Sequence, residues 1–156
     1  MEKFSSFTKV ATCLAYLLLF SGKYESFYEA FERGKVLLLQ TQKFNEDELR
    51  SVKSKFILNQ NNQGLFYILP RTFISDGVIK TEKLLLIQKK SKLARLILNE
   101  CHIHQSSVNL SISQMFKSGF YVIGNRRILN NISDRCIMCR RLRQEVALIL
   151  EVKSYH

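Results

Sequence analysis

The chain has no tryptophan, a single proline (Pro70) and six glycines among 156 residues. So small a supply excludes collagen-like and low-complexity chains, which need those residues in quantity. No internal repeat is visible either. Long hydrophobic runs are also missing. The one candidate, Val10-Ala-Thr-Cys-Leu-Ala-Tyr-Leu-Leu-Leu-Phe20, falls far short of the roughly 20 apolar residues a membrane-spanning helix needs. Acids are scarce. Only 13 Asp and Glu stand against 24 Lys and Arg, a net charge of +11 with pI about 9.7. That imbalance points to a polyanionic partner, either nucleic acid or an anionic membrane face, without choosing between them.

What is present supports a folded domain. Apolar residues make up 46% of the chain, enough for a buried core and too many for wholesale disorder. The positive charge is lopsided: residues 86–156 hold 12 Lys and Arg against 4 Asp and Glu, a balance of +8. Arg126, Arg127, Arg135, Arg140, Arg141 and Arg143 crowd the stretch 123–143, offset there by Asp134 alone. Phosphates would meet this half, unless the arginines form only a solvated face.

Lys3 and Lys9 before the apolar run, with Ser21-Gly22 after it, give the outline of a signal peptide. No small-x-small cleavage site follows cleanly. A buried amphipathic helix starting at a Ser5 or Ser6 cap fits the same residues.

The spacing predicts helices over Ser6–Phe20 and Tyr24–Thr41, the second with Phe27, Phe31, Val36 and Leu39 as packing positions and Gly34 as a break. Asn45 caps a third helix with acids in its first turn. Two apolar runs, Phe56–Leu58 and Leu65–Leu69, flank a polar turn and read as a hairpin. A further strand is expected at Lys83–Gln88. Ser91 then caps a helix over Lys92–His102, residues 108–118 are helical, and Phe120–Ile123 is extended. Asn125 caps Arg126–Arg135, and Arg140–Val152 forms the last helix. Cys13 reads as a core residue.

Cys136-Ile-Met-Cys139 is the sharpest chemical signal. Two cysteines separated by two residues can turn both thiolates toward one ion. A tetrahedral site needs two more ligands, and Cys101, His102 and His104 lie some thirty residues upstream. A redox dithiol would place the first cysteine at a helix N-terminus, whereas this pair follows a basic helix. Two unrelated cysteines in a buried turn are the bland alternative.

Three stretches carry a resemblance: Ala94-Arg-Leu-Ile-Leu-Asn-Glu-Cys-His102, Phe120-Tyr-Val-Ile-Gly-Asn-Arg-Arg127 and Cys136-Ile-Met-Cys-Arg-Arg141. Together they resemble the zinc-binding (His-His-Cys-Cys) domain of retroviral-type integrases, in the form found in BEL/Pao-type retrotransposon polyproteins. Upstream, Ala15-Tyr-Leu-Leu-Leu-Phe20 and Gly64-Leu-Phe-Tyr-Ile-Leu-Pro-Arg71 are similar to the helical and β-rich stretches that precede that domain.

The resemblance implies an α+β, mostly α fold: a helical linker over 1–55, a β-rich connector over 56–90, and a small zinc-pinned helical bundle over 91–156. It implies one Zn2+ held by His102, His104, Cys136 and Cys139. It also implies a role in DNA integration through binding the element's DNA ends and through self-association, with Arg126, Arg127, Arg140, Arg141 and Arg143 as phosphate contacts. The family's catalytic carboxylates would begin beyond His156, so no catalysis and no small-molecule substrate are expected. Placement inside a polyprotein implies an intracellular protein, nuclear or cytoplasmic, without membrane attachment. The sequence departs from the pattern at the second histidine, where Gln105-Ser106-Ser107 stands, leaving His104 nearest and Cys101 as a substitute. A helical interaction remnant with a decayed metal site is the competing expectation.

Overall fold

The computed structural model describes residues 6–69, 73–75, 78–80, 83–103, 105 and 107–154. Helix α1 spans Phe7–Phe20, and Ser6 starts it by accepting the Lys9 N–H; Ser5 lies outside the described residues. Helix α2 spans Phe27–Gln40 behind a Ser26 cap, and α3 spans Glu46–Lys53 behind Asn45. Each such cap satisfies an amide that the first turn leaves without an intrahelical partner, worth about 1 kcal/mol.

Gly34 is not a break. It sits buried in the middle of α2, where a Cβ would meet the Leu14 Cβ at 3.2 Å and the Ala11 carbonyl at 3.3 Å. With Ala11, Ala15 and Ala30 fully buried, small residues let α1 and α2 pack closely. Cys13, expected in the core, is exposed on α1.

Strands β1 (Ile57–Gln60) and β2 (Phe66–Leu69) form the expected hairpin, with Asn61 Oδ1 accepting from the amides of Gln63 and Leu65. A second hairpin, β3 (Phe73–Ser75) with β4 (Val78–Lys80), follows as a separate two-stranded sheet. Strand β5 (Leu84–Ile87) pairs antiparallel with β2. Helices α4 (Lys92–His102) and α5 (Val108–Lys117) then cross over to β6 (Phe120–Val122), which pairs parallel with β5. The sheet order is β1-β2-β5-β6.

Two clusters clothe the sheet. Leu84 and Leu86 point to one face with Ile68 and Val52, while Ile87 points to the other with Leu93, Ile97, Leu98, Met115 and Leu129. The unbroken Leu-Leu-Leu-Ile run is thus a strand covered on both faces. Phe7 of α1 meets Phe120 of β6 edge-on, with ring centroids 5.5 Å apart. The lead-in, the β-rich segment and the C-terminal half therefore share one core.

Helices α6 (Asn125–Arg135) and α7 (Ile137–Ser154) complete the chain. Gly124, not Asn125, is the cap of α6: it is left-handed at φ 72°, where glycine alone is unstrained. The Asn125 side-chain amide instead donates back to the Val122 carbonyl. The architecture is α+β and mostly α, and among the described residues no helix is long and apolar enough to cross a membrane.

Candidate metal centre

Strands β5 and β6 run parallel, and each feeds a helix. Helices α4 and α6 therefore start at the same end of the sheet, where the Lys89 side chain lies 3.4 Å from the position of a Gly124 Cβ. They finish together at the other end, joined across the buried Leu129. The last residue of α4 is His102, and the residue that closes α6 is Cys136. Two helix C-termini converge here, whose dipoles favour a cation, and the N-terminus of α7 opens at the same point, where its dipole favours thiolate.

The chain turns sharply at Cys136. Its carbonyl accepts the Arg140 N–H, the first bond of α7, so Cys139 falls in the first turn of that helix. The predicted knuckle is thus a helix-to-helix junction, and contrary to the expectation that the pair only follows a basic helix, Cys136 stands at the N-terminus of α7. Cys139 Sγ lies 3.5 Å from His102 Nε2, and one donor atom from each of His102, Cys136 and Cys139 falls within 4.8 Å of the others. These three side chains could hold a metal ion. His102 is 8% exposed and Cys139 5%, and Cys136 is half-buried.

The electrostatics separate the two thiols. A hydrogen bond from His102, then amide N–H groups of Cys139 and Met138, bring the Cys136 thiol down to about 7. Burial pushes Cys139 up, with its hydrogen bond to Cys136 adding to the effect. One thiolate is therefore ready near neutral pH, and an ion would displace the second proton. His102 Nδ1 is buried without a hydrogen-bond partner.

His104 lies outside the described residues. Cys101, the suggested substitute, points away from the trio. It sits in the main core, bonds Ser118, and is raised to about 11 by burial and the neighbouring Glu100. Adjacent residues on a helix lie about 100° apart, so Cys101 and His102 serve different faces.

The five arginines singled out from the sequence divide. Arg143 pairs with Asp134 at 3.2 Å and also bonds the Ser133 carbonyl and hydroxyl. Arg140 bonds the Asp134 carbonyl, and Arg126 bonds Asn109 Oδ1 at 3.2 Å. Arg143 and Arg140 thus fasten α7 to the end of α6. Arg127 and Arg141 are exposed.

Sequence reasoning missed the trough between α4 and α6, a groove of about 820 Å³. It is lined by Lys89, Lys90, Lys92, Arg95, Arg127 and Arg135 and runs to Cys136. Its signal was present as the run Lys89-Lys-Ser-Lys-Leu-Ala-Arg95. Comparison with protein-family models, curated proteins and solved structures finds no match for this chain.

Proposed function

We propose that the chain is a non-catalytic, zinc-pinned module for DNA binding and assembly, of the integrase type that its sequence resembles. The observation that carries this reading is the 3.5 Å approach of Cys139 Sγ to His102 Nε2. Zinc bonds of about 2.3 Å to sulfur and 2.0 Å to nitrogen, at a tetrahedral angle, put those atoms about 3.5 Å apart. Imidazole with thiolates suits a closed structural zinc site, whereas two-metal phosphoryl transfer needs carboxylates. Zinc would supply cross-linking here, tying α4 to the α6–α7 junction, with His104 proposed as a fourth ligand from the resemblance alone.

The charge excess supports a nucleic-acid partner, which an intracellular, nuclear or cytoplasmic protein would meet. Metal analysis together with binding of the chain to duplex DNA across a salt series tests the proposal. One zinc per chain and retention that weakens steeply with salt are expected. Absence of zinc, or binding indifferent to salt, contradicts it.

A second reading has its own observation. Helix α7 buries only Cys139 and exposes Leu142, Val146, Ile149 and Val152, while α1 exposes Tyr16, Leu17 and Phe20. These faces suit self-association or a helical partner chain. A metal-free chain that self-associates through them would favour an interaction module instead.

A further inference from the structure

We infer that the trough between α4 and α6 is the track for a nucleic-acid backbone, with Lys90, Lys92, Arg95, Arg127 and Arg135 as its phosphate contacts. This rests on the nucleic-acid reading above and moves the contact surface away from the arginines of α7. The two basic regions differ in how their charge is used. Arg140 and Arg143 are engaged by Asp134 and Ser133 within the chain. Among the described residues, the five cations of the trough have no ion pair and no side-chain hydrogen bond, and the sixth, Lys89, faces Glu48.

Among the described residues, no acid lines the trough. A concave surface lined by one sign of charge focuses its field and concentrates counter-ions. The ends add to this. Both helices begin at the Lys89–Gly124 end, and Gly124 provides no side-chain cap, so the first amides of α6 supplement the field there. The trough lies between two helices of 11 residues each, and its cations are spread from Lys90 at one end to Arg135 at the other. That spread suits successive phosphates of a strand better than one phosphate monoester.

The test compares two triple variants of equal charge by fluorescence anisotropy with a labelled DNA duplex. One is Lys92→Gln, Arg95→Gln and Arg127→Gln in the trough. The other is Arg50→Gln, Lys53→Gln and Lys55→Gln, exposed residues at and just after α3. The trough variant is expected to bind roughly tenfold more weakly, with the salt slope reduced by about 0.9 for each phosphate left without a cation, and the α3 variant to bind as wild type. Equal weakening in both overturns the trough assignment while leaving nucleic-acid binding intact. Absence of wild-type binding overturns the functional reading itself. Inorganic phosphate at matched ionic strength should displace the duplex no better than chloride. Displacement by phosphate alone would mark a monoester site and overturn the track. Acylation of the wild-type chain gives a readout independent of variant folding: duplex should protect Lys90 and Lys92 but not Lys53 and Lys55. Protection of neither pair, or of both, contradicts the assignment.

Discussion

Cys139 Sγ and His102 Nε2 stand 3.5 Å apart across 37 residues of chain, joining the end of α4 to the start of α7. The junction is built by the fold around it. Parallel β5 and β6 launch α4 and α6 side by side, so that both helices end at one point. Substituting either residue of the pair removes a donor and leaves the other buried without its partner. Cys139→Ser should abolish metal retention and cost about 3 kcal/mol, a fall in Tm of roughly 6–12 °C for a chain of this size. Metal analysis and thermal circular dichroism check it; an unchanged melting curve would contradict it.

Leu129 is fully buried in α6 within the main core, together with Ile97 and Leu98 of α4. Leu129→Ala should cost about 2–5 kcal/mol through reduced burial and the cavity left behind. Because it loosens the alignment of the two helix ends, metal affinity should fall as well. A destabilised variant with wild-type metal affinity would show that the site is held independently of this packing.

Gly34 lies where α1 and α2 pack closely. A Cβ there meets Leu14 at 3.2 Å and the Ala11 carbonyl at 3.3 Å. Gly34→Ala gains up to about 1 kcal/mol of helix propensity, which the tight approach largely cancels. Gly34→Leu has no such space and should destabilise by about 2–3 kcal/mol. Denaturant midpoints of the two variants should therefore separate widely, and similar values would contradict the close approach.

Burial raises the Cys101 thiol from 9.0 to about 11. The folded state thus holds the proton more tightly than the unfolded chain. The associated stability is fully present below pH 9 and is lost as pH rises toward 11. Cys101→Ala should flatten that alkaline decline, measured as Tm against pH. Iodoacetamide should leave Cys101 unmodified in the native chain near neutral pH, whereas the metal-free Cys136, with its thiol at about 7, should react.

Local chemistry was legible in the sequence where one residue decides the outcome. Ser6, Asn45 and Ser91 act as caps, and the helices following them run as patterned. The first hairpin was legible from its two apolar runs on either side of a polar turn. What was hidden depended on distant partners. Gly34 reads as a breaker until Ala11 is packed against it, and Cys13 reads as core until α1 turns it outward. The parallel pairing of β5 with β6 leaves no local trace, because the intervening α4 and α5 separate the two strands in sequence. The trough was hidden because its cations come from two segments that only this pairing aligns. The metal donors lie between these cases. The Cys136/Cys139 spacing was readable, but the placement of both at a helix junction was not.

The most direct test is native mass spectrometry of the untagged wild-type chain before and after chelation, with far-UV circular dichroism on the same samples. One zinc per chain is predicted, lost on chelation together with a substantial fall in helical signal and Tm. A chain carrying no metal, or one whose helicity and melting are indifferent to its removal, would contradict the zinc-pinned account.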